Sequence, residues 1–433
     1  MLFALFYECI LWILSLFFIP KMLIQMGLQG KYRKSFFKRW GKGFPSIEKG
    51  KKPLVWIHAV SVGETKAVAP LAKKMLEKEP GTLFVISSVT ETGHEEAKKT
   101  LPFAHYHLYL PFDFRKKMDA ILDRTKPDLV LFCETDLWYN FMRAAKNVGA
   151  EIALVNGKIS ERSFKRLQTF SPFSRRLFSM IDLFCVQGKD YQKRFAALQV
   201  PSHKIHVTGN IKLDTESKKL SLEEKAALRE RLGIALSDLV IVAGSTHDIE
   251  EKILLEASKK LWKLFPRLKV IFVPRHPERF SKVAEIIRKE EVSLRIYSER
   301  SSGNAQAILI DAMGLLKDCY QIGDVAVVCG SFTEKVGGHN ILEPCEFGVP
   351  VVFGPYLHSQ PDFLTLCREY ESGIQTEKEG LANVLETLLS NRSMRQEMGV
   401  RGKTLIQEMR GATENTLKLV CERLKWKKLE KNT

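Results

Sequence analysis

The chain lacks most of the short signatures that disclose a function at once. Its eight cysteines (Cys9, Cys133, Cys185, Cys319, Cys329, Cys345, Cys367 and Cys421) are scattered, with no Cys-x-x-Cys. Several lie inside apolar runs such as Leu183-Phe-Cys-Val and Ala326-Val-Val-Cys. They read as reduced core residues of a cytoplasmic protein, which sets aside zinc ribbons and disulfide frameworks. No Gly-x-Gly-x-x-Gly follows a strand-like run, so the usual dinucleotide fold has no support. Gly402-Lys-Thr ends like a P-loop, but Glu397 stands where the first glycine belongs and no strand precedes it. A Gly-x-Ser-x-Gly elbow is missing too. With no Asp-x-Asp and no His/Asp cluster, metal-independent chemistry without a cofactor is the simpler expectation. Acidic residues are the scarcer charge, 50 against 67 Lys and Arg, for a net +17. Such an excess suits an anionic partner. Without an aromatic-interleaved basic platform or a zinc module, nucleic acid has nothing in its favour beyond bulk charge.

What is present is sharply sorted. Residues 1–20 are nearly all apolar, with Glu8 the only charge, and a basic flank follows: Lys21, Lys31, Arg33, Lys34, Lys38, Arg39 and Lys42. An early positive charge and a small-residue cleavage site, the marks of a secretory signal, are both missing. The positive flank predicts a cytoplasmic body, and the apolar run just meets the ~20 residues that a bilayer span requires. A spanning anchor and an interfacial helix both fit, and the segment has no polar face to favour a buried core helix. Anionic lipid head groups would account for part of the basic excess.

From Pro53 onward short apolar runs alternate with helical segments. Leu54 to Ile57, Leu83 to Ser87, Leu129 to Phe132, Ile152 to Val155 and Leu183 to Val186 read as buried parallel strands, with crossover helices such as 115–122 and 137–148 between them. The alternation lapses over 212–237, where 223–232 is helical and ends at Gly233, and it resumes at Leu239 with further strands at 270–273, 307–310, 325–328 and 349–353. Two such series predict an α/β protein of two doubly wound, Rossmann-like domains facing across a cleft. The expected divisions are an anchor over 1–24, a first domain over 25–212, a second over 213–410, and a C-terminal helix and basic tail over 411–433. The helix, 413–429, would pack back onto the first domain.

The residues that could carry chemistry cluster at the carboxyl ends of these strands, where open α/β sheets bind ligands. His58-Ala-Val-Ser-Val-Gly-Glu64 joins a strand to the helical segment 67–76 and sets Glu64 where a carboxylate could take a proton. A helix-capping acid is the ordinary alternative there. Glu134-Thr-Asp-Leu-Trp138 places a second carboxylate on the same edge. Asn156 to Ser163 and Gly209-Asn-Ile-Lys212 close the next strands, with Lys212 able to counter a developing negative charge. In the second series, paired glycines in Gly337-Gly-His-Asn-Ile-Leu-Glu343 allow close approach to a phosphate, and a helix beginning near Asn340 would point its N–H groups at it. Glu343 is placed to accept from ribose hydroxyls. Pro274-Arg275-His-Pro277 is a stiffened loop presenting an arginine fork. Gly244-Ser-Thr-His-Asp248 suits phosphate or sugar contact, with no catalytic role for His247, and Ser331 follows another strand.

Together with Ser160-Glu-Arg-Ser163 and Asp311-Ala-Met-Gly314, these stretches resemble the bacterial 3-deoxy-D-manno-octulosonic acid (Kdo) transferases of lipopolysaccharide synthesis, in family order over nearly the whole chain. The resemblance implies a GT-B glycosyltransferase that moves one or more Kdo residues from CMP-Kdo to a lipid A precursor, with inversion. It would work at the cytoplasmic face of the inner membrane, in contact with its lipids. The first domain would take the acceptor and the second the CMP-Kdo donor. Glu64 matches the family's general base, and Glu134 and Lys212 match positions that stabilise the transition state. Pro274 and Arg275, Met313, Gly314 and Leu315, and Asn340, Ile341, Leu342 and Glu343 match the CMP-contacting stretches. Leu315 departs from the acid expected after Met-Gly, and Asn156-Gly-Lys158 replaces the commoner Asn-Ala-Arg or Asn-Gly-Arg. Two other readings stand beside this one: a GT-B-type nucleotide-sugar epimerase, which needs no anchor, and a membrane-tethered nucleic-acid-binding protein, which needs no Glu64.

Overall fold

The computed structural model describes residues 2–28, 30, 32–214, 216–299 and 304–424. It forms two compact units, Met1–Thr215 with Met409–Thr433, and Glu216–Glu408. Each is built on a seven-stranded parallel sheet. The first contains β1 (Leu54–His58), β2 (Leu83–Ser88), β3 (Tyr106–Tyr109), β4 (Leu129–Cys133), β5 (Glu151–Gly157), β6 (Leu183–Val186) and β7 (Ile205–Val207), in the order β3-β2-β1-β4-β5-β6-β7. The second contains β8 (Val240–Thr246), β9 (Lys269–Pro274), β10 (Leu294–Ile296), β11 (Ala307–Leu309), β12 (Val325–Val328), β13 (Val351–Phe353) and β14 (Gly373–Gln375), in the order β10-β11-β9-β8-β12-β13-β14. The architecture is the GT-B type of two doubly wound sheets.

The central strands are the apolar runs of the sequence, and helices on both sheet faces bury them completely, which only all-apolar strands tolerate. The strands that the sequence reading missed are β3, β7, β10 and β14, all at or next to sheet edges. At the edge one side of a strand is less covered, so His107, His206, Arg295 and Gln375 are accommodated and the apolar signal disappears.

Four helices matter to function. Helix α1 (Leu2–Leu28) outlasts the expected boundary at residue 24 and runs through Pro20. It is long and apolar enough to cross a membrane, and none of its described residues is buried. Cys9, on its surface, is exposed and so departs from the core role expected of the cysteines; the other seven are buried and all eight are free. Helix α2 (Val62–Lys78) follows β1 directly. Helix α3 (Tyr139–Asn147) follows β4; its N-cap Trp138 supplies no side-chain bond, and buried Asp113 instead accepts from the Asn140 and Phe141 N–H groups at 2.9 and 2.8 Å. Helix α4 (Ala412–Leu424) belongs to the first unit and packs on α2, as foreseen for 413–429, whose last five positions lie outside the described residues. The N–H groups at its start are met by Asp214, which accepts from Gly411 at 2.8 Å and also from Ala412 and Thr413. That carboxylate fastens the end of the first unit's main segment to the start of its returning helix.

Candidate active site

Both sheets reverse their winding at their centres: between β1 and β4 in the first unit, and between β8 and β12 in the second. Loops leave such a point in opposite directions and open a crevice at the carboxyl ends of the strands. In the first unit the β1–β4 pairing runs to His58↔Phe132, so the segments that follow, 59–64 and 133–138, emerge side by side. Cys133 Sγ lies 3.7 Å from the Glu64 carbonyl.

Glu64 is in the first turn of α2, where Ser61 is the N-cap. Its carboxylate accepts from the Val60 N–H at 2.8 Å and the Ser61 hydroxyl at 2.9 Å, while Ser61 Oγ accepts from the Glu64 N–H at 3.3 Å. The capping alternative is thus realised, and it does not exhaust the group. Two bonds immobilise the carboxylate at a crevice, and a helix N-terminus supports its charged form. Burial still pushes the carboxyl above the ordinary glutamate value; the Val60 and Ser61 bonds work against this, and the charges of Glu134 and Asp136 add to it. A carboxylate with more proton affinity than an ordinary glutamate is the chemical consequence.

The loop carrying Glu64 is braced from below. Thr90 donates to the Val60 carbonyl at 2.8 Å, and a Cβ on Gly93 would sit 2.6 Å from that same oxygen. Gly93→Ala is therefore expected to cost about 1–3 kcal/mol through overpacking, measured as a lower denaturation midpoint. An unchanged midpoint would mean that the loop is not rigidly seated.

Glu134 adopts a left-handed backbone, φ +63°. Such strain in a bulky residue is maintained only where its surroundings fix it. Here they are two lysines: Lys158 Nζ lies 2.8 Å from Oε2, and Lys212 Nζ lies 2.7 Å from Oε1. Burial would raise the Glu134 carboxyl, but the two ammonium groups outweigh it and hold it below the usual range. Glu134 is therefore a fixed anion that orients cations, and Glu64 is the half-buried carboxylate with proton affinity to use. Asn156, also left-handed at φ +53°, accepts from the Ile211 N–H at 3.1 Å and so seats the turn that presents Lys212. Asp136 accepts from Trp138 Nε1 at 3.2 Å and lies 3.7 Å from His58 Nε2.

The second unit assembles its own loops. Buried Glu250 accepts from the N–H groups of His247, Gly330 and Phe332 at 3.0, 2.8 and 3.0 Å, tying the loop after β8 to the loop after β12. Glu251 bridges Thr246 and Arg279 at 3.0 and 2.9 Å, which ties the loop after β9 to the same place. His247 Nε2 and His339 Nε2 are 2.7 Å apart on stacked rings, with His276 beside them. Burial pushes both His247 and His339 down to about 4, so a neutral donor and a neutral acceptor share this bond. Gly330, Gly337 and Gly338 all have positive φ, and a Cβ on Gly330 would meet the His339 ring. A loop so crowded and so turned admits only glycine.

Several expectations need correction here. No helix begins near Asn340: the chain makes a turn, in which Asn340 Oδ1 accepts from the Leu342 N–H at 3.0 Å, and then a four-residue 3₁₀ segment, Pro344–Phe347. Pro344 and left-handed Gly348 prevent anything longer. Ile341 and Leu342 are buried in the core, so only their backbones can meet a ligand. Glu343 is partly buried, which pushes its carboxyl up against the pull of Lys317 and Arg275. Ser331 is structural, donating to Val328 O and accepting from Gly354 N. Pro274 ends β9, and Arg275 after it is exposed, with its N–H bonded to Thr246 O at 3.1 Å. Met313 is exposed, Gly314 turns at φ +90°, and Leu315 caps the short helix Leu316–Tyr320. Glu64, Glu134 and Lys212 lie along one edge of the first sheet. Sequence reasoning gave no site role to Lys158, Asp136, Glu250, Glu251 and Arg279, and it left His339 without its partner His247. Lys158 and Asp136 had a local signal, in the stretches that begin at Asn156 and Glu134.

Residues 34–215 match the family model described as 3-Deoxy-D-manno-octulosonic-acid transferase (kdotransferase). The chain is 34% identical over 405 residues to the 3-deoxy-D-manno-octulosonic acid transferase of Chlamydia muridarum, covering 93% of each chain. It is 33% identical to the enzyme of the same name from Haemophilus influenzae, over 84% of this chain and 86% of that one. Among solved structures, a glycosyltransferase from Rickettsia africae matches with a TM-score of 0.60 at 15% identity, covering 87% of this chain and all of that one (100%). A UDP-N-acetylglucosamine 2-epimerase matches with a TM-score of 0.59 at 14% identity, covering 87% and 96%. At such identities these two structures speak for the fold alone.

Proposed function

The chain belongs to the 3-deoxy-D-manno-octulosonic acid transferase family, and we propose that it moves Kdo from CMP-Kdo to a lipid A precursor, with Glu64 as general base and inversion at the anomeric carbon. The observation that carries this reading is the contrast between two carboxylates on one sheet edge. Glu134 is neutralised by Lys158 and Lys212, while Glu64 is held by two hydrogen bonds and has a raised proton affinity. Opposed environments of this kind divide the roles in acid–base chemistry.

In this mechanism Glu64 takes the proton of an acceptor hydroxyl as its oxygen bonds to the anomeric carbon of Kdo. The bond from that carbon to the CMP phosphate oxygen breaks, and the electron pair leaves with CMP. Lys212, oriented by Glu134, stabilises the negative charge that develops in the transition state. Arg275 and the backbone of the 337–343 loop bind the nucleotide in the second unit, with Pro274, Met313 to Leu315 and Glu343 shaping that site. Leu315 offers backbone contact only. The apolar helix α1 holds the enzyme at the cytoplasmic face of the inner membrane, where the acceptor resides.

The test is acceptor-dependent release of CMP from CMP-Kdo by the full-length protein, with the product mass counting the Kdo residues added. Failure of the folded protein to release CMP when the lipid acceptor is supplied would reject the lipid A assignment. Chelation by EDTA is expected to leave the rate unchanged, because every role in the mechanism falls to a side chain or backbone group. A rate abolished by EDTA and restored by a divalent cation would overturn that part.

A further inference from the structure

An apolar cavity of about 290 Å³ lies between α1 and the body of the first unit. Leu14 and Phe18 of the helix form one wall, and Trp40, Phe114 and Trp138 form the other. The helix is fixed over this cavity by polar contacts that an ordinary anchor would not need. Tyr7 donates to buried Asp113 at 2.9 Å, and Glu8 accepts from the Arg115 N–H at 3.1 Å and from Asn140 Nδ2 at 3.1 Å. Trp12 packs on Phe114 with ring centroids 4.6 Å apart.

Arg39 also lines the cavity. The sequence reading counted it among the residues of the basic flank, and it is only 7% exposed. Its Nε donates to Leu110 O at 3.2 Å, and its guanidinium rests over the Phe112 ring at 4.4 Å. Among the described residues it forms no close ion pair: Asp136 acts on it from farther off, against the effect of burial, and the Trp138 ring lies 5.9 Å from its guanidinium. A buried cation compensated only at such range is stabilised further by an anion in direct contact. Planar, bidentate donors of this kind match a phosphate.

We propose that this cavity binds the lipid acceptor, taking one acyl chain between α1 and Trp138 while Arg39 pairs with an acceptor phosphate. The proposal rests on the transferase reading given above. Position favours the acceptor over a lipid of the bilayer. Trp138 is bonded to Asp136, Asp136 lies beside His58 at the end of β1, and Asp136 is near enough to act on the Glu64 carboxyl. A head group held at Arg39 therefore lies on the same sheet edge as the base. It also gives α1 a second task, as one wall of a substrate site.

The test uses the full-length enzyme in detergent micelles with CMP-Kdo and two acceptors, the acylated lipid and its deacylated, still phosphorylated disaccharide. Ser15→Trp inserts an indole from the helix side of the cavity. It is expected to raise KM for the acylated acceptor about tenfold and to change KM for the deacylated one less than about twofold. Arg39→Gln is expected to raise KM about tenfold for both acceptors, with Arg39→Lys recovering part of the loss and KM for CMP-Kdo unmoved. Unchanged acceptor KM in folded Ser15→Trp and Arg39→Gln would overturn the proposal while leaving the transferase reading intact. Weaker sedimentation with anionic phospholipid vesicles, with acceptor KM unaltered, would also overturn it by assigning the cavity to bilayer lipid. A wild-type enzyme that ignores both acceptors would reject the underlying reading and this site with it.

Discussion

Glu64→Gln is expected to lower kcat by about 10³-fold, the upper-middle range for loss of a general base, with little change in the thermal midpoint. Glutamine keeps an oxygen for the Val60 N–H, so the start of α2 survives and the proton acceptor alone is removed. The pH profile supplies the second readout. The base must be ionised to act, and burial raises its proton affinity, so wild-type activity falls as pH decreases through a value above the ordinary glutamate one. That acid limb should vanish in Glu64→Gln. Near-normal turnover in the variant would reduce Glu64 to its capping role and turn attention to Glu134. A retained limb with lowered turnover would assign the titration to another group.

Lys212→Met is expected to lower kcat by about 10²-fold with KM for CMP-Kdo nearly constant, because a preorganised cation acts on charge that exists only in the transition state. Glu134→Gln should act in the same direction through Lys212, which loses the partner that orients it. Residues acting as one unit are not additive, so the double variant should be little worse than Lys212→Met alone. Additive losses would separate the two residues. An effect confined to the thermal midpoint would leave the pair as a structural ion bridge.

The motif pattern and the strand pattern were legible for different reasons. Buried parallel strands must be apolar throughout, so β1, β2, β4, β5 and β6 stand out as runs. Edge strands β3 and β14 are only half-buried and carry no such mark. The motifs were legible because turns at strand ends demand particular residues, as Gly337 and Gly338 do with their positive φ. Asn340 misled for a related reason: it looks like a helix cap, but Pro344 and Gly348 a few residues later leave room for a 3₁₀ turn alone.

The sequence by itself determined the alternating α/β architecture, the apolar N-terminal helix and the positions of Glu64, Glu134 and Lys212 at strand ends, since hydrophobic period and turn chemistry are local. Only the tertiary structure decided what those residues meet. Lys212 reaches Glu134 across 78 positions because β5, β6 and β7 are laid down in order beyond β4, and His247 reaches His339 across 92 because β12 pairs with β8. Arg39 makes the point most plainly. The basic residues Arg33, Lys34, Lys38 and Lys42 of the same flank are exposed, and Arg39 becomes a buried cation only when the loop around Leu110 and Phe112 folds over it. Proton affinity and ion pairing follow from burial and from such distant partners, and no local pattern of residues encodes either.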